Sequence, residues 1–599
     1  MPAEDHPLPS SWRGMVRTLR LGWTASPRLI AVAFATTVGA ALPDALIAVV
    51  LALLADAVLS GNQAGVVTAA ILLGALAVTS WLLRLLSERA NRRFADRAAV
   101  FMEAHVVQLQ SGIPSLEHHE RPSYVNRVQL VRDHADTLSE VYQYLFQAVG
   151  AVLRLILTIS LLMTVHPLLG LLGLFAVPIA LVSHWRGGAE HTLEERLGHH
   201  ARLARHFFLL GTDASPGREL RVARGRDRVR QGRQQAWAAR HRAMSRARWT
   251  TTAWQSIALA VFSSAFVGSV AAVALNGGSA AQVVLLLTAG SRLAQYLSET
   301  LGQVHFLRTI WLEGGCRLLW LEELSSMAAK QSPAPPPEEM RSGITLDRVS
   351  FTYPGTDRKV LDDVTLRLPA GAVVAMVGEN GAGKSTLVKL LAKMYEPDTG
   401  RILVDDAALA DMPADAWRER LSGAFQDFAR FEYPLRLSIG LGDLARAEDA
   451  GAVERAVERA DARALVDRLD QGLDTQLGNT WAEGAELSEG QWQKVALARG
   501  YMRDQPLILL LDEPASALDA ETEHLLFEQY AERSRALRNR GRVTLLVSHR
   551  FSTVRMADLI IVLDGTRVRE QGSHEELLAL GGRYAELYEI QARAYRTVR

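Results

Sequence analysis

Nine consecutive residues, Gly378, Glu379, Asn380, Gly381, Ala382, Gly383, Lys384, Ser385 and Thr386, have types and spacing suited to holding a polyphosphate. The glycines let the backbone fold closely enough for successive N–H groups to converge on one anion, and a helix beginning at the loop's end adds the positive end of its dipole. Lys384 supplies a point charge for the outer phosphates, and the Ser385 hydroxyl can ligate Mg2+. The apolar run Val373 to Val377 precedes this loop and LVKLLAKMY follows it, which is the strand-loop-helix setting that such a loop requires. A second apolar run, Leu507 to Leu511, ends in Asp512-Glu513-Pro514. Asp512 there can help hold Mg2+, directly or through water, and Glu513 can polarise an attacking water. A third run, Val543 to Val547, ends in Ser548-His549 and carries an imidazole to the same edge. The chemistry implied is transfer of a phosphoryl group to water.

These residues need a scaffold, and the surrounding sequence divides into two kinds. From Ala328 to Arg341 the chain reads AAKQSPAPPPEEMR, a proline-rich and charged stretch that favours an extended connection. We place domains at residues 1–327 and 342–599, with 328–341 as the linker. After the linker, GITLDRVSFTYPG, VLDDVTLRL, AVVAMVG and GRILVD read as short strands, several of them followed by helical patterns, so an α/β unit is expected.

Before the linker, apolar segments run at roughly 29–58, 66–87, 141–165, 167–185, 254–275 and 280–304, each about the length needed to cross a hydrocarbon core. We expect an all-α domain of six spans. The short connections Ser60 to Gly65, Thr164 to Pro167 and Asn276 to Ser279 lack Lys and Arg, whereas fifteen arginines lie between Arg186 and Arg248. By the positive-inside tendency, the long connections and both termini face the cytoplasm. Met1 to Pro27 reads as a cytoplasmic elbow helix. Charged residues inside the spans should face protein or water. Asp44 and Arg154 are expected either to form a structural ion pair or, with Arg292, to line a polar cavity that handles substrate; Asp56 and Glu299 are expected near the membrane edge.

Composition narrows the field. Net charge is +1 from 66 basic and 65 acidic residues, which argues against a nucleic-acid partner by bulk charge. The single cysteine, Cys316, excludes an intramolecular disulfide and a cysteine-based zinc site. Only six of the basic residues are lysines, all from Lys330 onward, so a lysine inside the phosphate loop stands out.

With these motifs in place, nearly the whole chain resembles an ABC exporter half-transporter: a six-span membrane domain fused to one α/β P-loop NTPase domain of the ABC type. The resemblance implies ATP and Mg2+ as cofactors and further site residues. Tyr353 in FTYPG resembles the aromatic that stacks on adenine. Gln426 in AFQDF resembles the Q-loop residue that senses Mg2+ and contacts the membrane domain. Leu487-Ser488-Glu489-Gly490-Gln491 resembles the signature LSGGQ, which in the family binds the γ-phosphate held by the opposite subunit. Asp519 in SALD resembles the D-loop aspartate, and His549 the switch histidine. Pro122 to Arg127 and Pro216 to Arg221 resemble the two coupling helices.

Two departures from the family pattern carry expectations. Glu489 stands where the first central glycine of the signature belongs, and its carboxylate either repels a triphosphate or points to solvent. In WAEGAELSEGQ, Ala482 occupies a place where a glutamate is expected, with Glu483 as a substitute. The GQWQK run is similar to exporters of bacteriocin or lantibiotic peptides.

The resemblance implies a dimer, with a second copy of the chain favoured over a related half-transporter. It also implies a multi-pass protein of a bacterial inner membrane that exports a peptide, a lipid or a hydrophobic small molecule by alternating access. Two other readings stay open: an importer built on the same fold for a siderophore-like substrate, and a soluble ABC ATPase, which six spans disfavour.

Overall fold

The computed structural model describes residues 9–121, 124, 127, 128, 131, 135–328, 334–514 and 541–596. Backbone contacts divide the chain into two compact units, one of Met1–Gln110 with Arg127–Glu323 and the other of Ser111–Asn126 with Leu324–Arg599. The short segment between two long helices therefore packs with the C-terminal unit.

The first unit is helical. Ser11–Ala25 forms the expected elbow helix, and Pro27–Gly39 with Ala41–Leu59 covers the first apolar segment. Gln63–Ser111, Ala135–Val165, Leu172–Thr212, Arg226–Leu275 and Ala280–Ile310 cover the other five. Two of these helices have 49 and 50 residues. At about 1.5 Å per residue they run far beyond any bilayer, as helical spacing in the long connections implies. Among the described residues, Pro27–Leu59, Gln63–Ser111, Leu138–Val165 and Arg226–Leu275 are long and apolar enough to cross a membrane. Helices cover all six expected segments, and four of them meet this criterion of length and composition. The fourth segment offers a shorter apolar stretch, Pro167–Ile179, and Ala280–Ile310 is diluted by Arg292, Gln295 and Glu299.

The elbow helix is seated by close contact. A Cβ on Gly22 would fall 2.3 Å from the Tyr142 ring, so only glycine permits that approach. Arg17 donates two bonds of 2.7 and 2.8 Å to the Glu322 carboxylate, which also meets His105 at 2.7 Å. Burial alone would raise Glu322, but these two partners hold it below the usual carboxylate range.

The C-terminal unit holds two sheets. β1 (Gly343–Thr352), β2 (Lys359–Pro369), β4 (Thr399–Val404) and β5 (Ala407–Ala408) form an antiparallel sheet in the order β2-β1-β4-β5. The larger sheet contains β3 (Val373–Gly378), β6 (Leu421–Ala424), β7 (Ile508–Asp512), β8 (Val543–Val547), β9 (Leu559–Asp564) and β10 (Arg567–Gly572). Its order is β10-β9-β3-β8-β7-β6, parallel throughout except for the β10 edge. β3, β7 and β8 are almost uninterruptedly buried, as strands covered on both faces must be. Because β6, β7, β8 and β3 are parallel, their C-terminal ends lie along one edge, where ligands of open α/β sheets bind.

Candidate functional site

That edge gathers the chemistry. The glycine-rich loop leaves β3, Gln426 follows β6, Asp512 and Glu513 end β7, and Ser548 and His549 follow β8. Between them lies a cavity of about 700 Å³ lined by Tyr353, Asn380, Gly381, Gly383, Lys384, Ser385, Thr386, Gln426, Glu513 and His549. Arg358, Lys359, Val360 and Thr566 complete its wall, and no sequence motif had marked these four.

The loop takes its form from its glycines. Gly381 and Gly383 have φ of +83° and +92°, and a Cβ on Gly383 would press within 2.8 Å of Leu361 and 3.0 Å of the Val360 carbonyl. Gly383 caps the helix Lys384–Leu391, whose N-terminus faces the cavity. The carbonyls of Gly378 and Glu379 accept bonds of 2.8 and 2.9 Å from Lys384 Nζ, the Glu379 side chain is exposed and pairs with Arg583, and Ala382 packs into the core. Lys384 is buried, which pushes its ammonium down, an effect opposed by Glu513 and Asp512. The Tyr353 hydroxyl bonds Thr386 at 3.0 Å, and its ring lies at 5.3 Å from Lys389 Nζ.

Across the cavity the acidic group is held from three sides. Gln426 Nε2 donates to Glu513 Oε2 at 3.2 Å, His549 Nδ1 lies 3.5 Å from Oε1, and Gln493 donates to the Glu513 carbonyl at 3.3 Å. Glu513 has φ +47°, a left-handed conformation that a non-glycine residue adopts only where its surroundings impose it. Gln493 went unnoticed in the sequence, although it lies in the same GQWQK run.

Asp512 sits beneath, 4% exposed, and its Oδ1 has no hydrogen-bond partner. Burial pushes its carboxyl up, a hydrogen bond from Ser385 opposes this, and the Glu513 charge adds to the rise. A buried, unpartnered carboxylate oxygen beside a hydroxyl is a donor set that fits a hard divalent cation.

Ser488, Gly490 and Gln491 do not line this cavity. They form the start of the helix Glu489–Gly500, where Ser488 and Gln491 make a reciprocal capping box. Glu489 is exposed and ion-paired to Arg430, so it neither lies free in solvent nor stands as an uncompensated charge. Ala482 and Glu483 are exposed. Asp519 lies outside the described residues, as do Pro122, Ser123, Val125 and Asn126 of the first expected coupling segment. The second, Pro216 to Arg221, falls within the helix Ala214–Val222.

In the helical unit, Asp44 is the centre of a polar cluster. It accepts two 2.7 Å bonds from Arg84 and one of 3.1 Å from Ser80. Arg154, the partner expected from sequence, is farther away at 3.8 Å and also meets Glu299 at 3.4 Å. Arg84, inside the second apolar segment, was not singled out in the sequence; the helix Gln63–Ser111 brings it against Asp44. Arg292 is exposed.

The fold and site define a P-loop nucleotide-binding domain joined to a helical domain with membrane-length helices. The ABC transporter family model matches residues 361–516, so this domain is an ABC transporter ATP-binding domain. An ATP-dependent lipid A-core flippase of Aromatoleum aromaticum is 41% identical over 256 residues, which is 43% of this chain and 41% of that protein. The flippase of Pseudomonas aeruginosa is 38% identical over 267 residues, 45% of this chain and 43% of its own length. The matches thus span about two-fifths of these curated relatives. A solved bacterial Atm1-family ABC exporter with ATP bound superimposes with a TM-score of 0.73, covering 96% of this chain and 98% of that one at 24% identity. The chain therefore has the fold of that ABC exporter, its helical domain preceding the ATP-binding domain.

Proposed function

We propose that the chain is one half of a dimeric ATP-driven exporter of a bacterial inner membrane, and that a second copy of itself supplies the other half. One observation carries this reading: Lys384, Ser385, Gln426, Glu513 and His549 converge on one cavity while Ser488, Gly490 and Gln491 stay outside it. A complete site of this kind needs both sets on one triphosphate, and a second chain can bring the missing one.

In this reading Lys384 and the loop N–H groups hold the β- and γ-phosphates, and Tyr353 flanks the adenine. Ser385 and Asp512 would hold Mg2+, which neutralises phosphate charge when bound. Glu513 takes the proton from the attacking water, with Gln426 and His549 fixing its carboxylate. Nucleotide-driven closure is passed on through the segment 111–126. Its Leu116 N–H donates to the Met394 carbonyl at 3.1 Å and its Pro114 carbonyl accepts from Arg418 at 2.5 Å, within the ATP-binding unit. Closure then switches the helical domain between inward and outward access.

The substrate is a lipid, a peptide or a hydrophobic small molecule. The relatives' name favours a lipid over a peptide or a hydrophobic drug, although the matches cover only about two-fifths of those proteins. The test is ATP hydrolysis and vectorial transport by the full chain in proteoliposomes, with a lipid, peptide and drug panel. Stimulation by one lipid class with matching translocation supports the reading. A pure, folded chain that binds ATP yet hydrolyses none overturns the homodimer and directs attention to a second, related subunit.

A further inference from the structure

Glu489 places a carboxylate at the first position of the signature helix, the end that the proposed function brings against the partner's triphosphate. Left alone, that charge would oppose an anionic ligand. Arg430 stands in the loop that begins with Gln426, and its guanidinium pairs with the Glu489 carboxylate. Both side chains remain about half exposed, at 48% for Arg430 and 61% for Glu489, so the pair is on the surface that would receive a second chain. The same loop is tied to the far end of the same helix: Arg499 donates to the Ala429 carbonyl at 3.2 Å and lies 4.5 Å over the Phe431 ring. Loop and helix are thus fastened at two points, and the loop's other end reaches Glu513 through Gln426 at 3.2 Å.

We propose that Arg430 is a positioning residue for nucleotide: it cancels the Glu489 charge, and so lets an acid-bearing signature accept the γ-phosphate of ATP held by a second copy of the chain. The inference rests on the dimeric reading above. It assigns Arg430 an electrostatic role that depends on Glu489. A merely structural role in holding the loop would not depend on it.

Counting charge at the pair gives an order that the KM for ATP must follow. Arg430→Ala leaves net negative charge and raises KM, by about tenfold for a unit charge several ångströms from phosphate in a partly screened site. Glu489→Gly leaves net positive charge and lowers KM, by roughly threefold on the same scale. The double variant is neutral again and returns to within about twofold of wild type. Raising ionic strength shrinks the Arg430→Ala penalty, since screening acts on exposed charge. All four proteins are assayed as full chains in lipid, with Lys384→Ala as the inactive control. A double variant as impaired as Arg430→Ala alone, or an Arg430→Ala penalty carried by kcat and unmoved by salt, overturns the inference and makes Arg430 a loop brace. A wild-type chain no more active than Lys384→Ala overturns the dimeric reading and this inference with it.

Discussion

Two aspartates, nearly equally buried, are treated oppositely in the two halves of the molecule. Asp44, 6% exposed among the membrane-type helices, accepts from Ser80 and Arg84 and lies near Arg154. Asp512, 4% exposed at the end of β7, keeps one oxygen without a partner. Burying a polar atom unpaired costs about 1–3 kcal/mol, and beside Ser385 at the end of β7 a bound cation would remove that cost. The contrast teaches that a buried carboxylate can serve first to hold helices together, as Asp44 does, or stand poised for a ligand, as Asp512 does.

The largest effect that would sharpen this contrast lies next to Asp512. Glu513→Gln keeps the side chain's shape and its place beside Gln426 and His549 but removes the carboxylate proposed as the base. ATP turnover should fall by about 10²- to 10⁴-fold while nucleotide remains bound and the closed dimer accumulates. Steady-state hydrolysis together with retained nucleotide measures both, and near-normal turnover would assign the base elsewhere.

A middle-sized effect compares the aspartates directly. Asp44→Asn removes the counter-charge of Arg84 and should destabilise the helical unit by about 1–3 kcal/mol, the lower range fitting an arginine that is itself half exposed. Asp512→Asn should leave the thermal midpoint unchanged or raised, because it removes a buried charge, while ATP hydrolysis falls. Thermal unfolding of the full chain in detergent and transport in vesicles read the two quantities separately. If Asp44→Asn keeps its midpoint and loses transport, Asp44 belongs to a substrate path and the contrast is broken.

What the sequence made legible follows the same division. The phosphate loop, Asp512-Glu513 and His549 could be read because each is a short run after an apolar strand, and parallel strands deliver such runs to one edge. Arg430 and Gln493 could not, because their roles depend on how one loop and one helix lie together. Asp44 pairs more closely with Arg84 than with the expected Arg154, because residues on different long helices meet by packing, which linear spacing does not encode. Scarcity of lysine drew attention to Lys384, which lines the cavity, yet Lys393 is also buried and spends its ammonium on the carbonyls of Leu409, Ala410 and Met412. Rarity therefore marks demanding positions without separating catalysis from architecture.

The smallest effect concerns a carboxylate that is neither poised nor paired with a cation. Asp405 Oδ1 accepts from the N–H groups of Ser342 at 2.7 Å, Gly343 at 3.0 Å and Arg341 at 3.1 Å, fixing the chain where it leaves the proline-rich linker and enters β1. Burial would raise this carboxyl, but those N–H groups and the Ser342 hydroxyl prevail and hold it below the usual range. Its contribution is therefore fully present above the unfolded value of about 3.9 and is lost as pH falls through the lower folded value. Asp405→Asn should lower the midpoint by roughly 1–3 °C at neutral pH. The gap to wild type should narrow steadily below about pH 4, where protonation removes what the substitution removed. A gap that stays constant down to pH 3 would mean that shape alone, and no charge, secures the entry to β1.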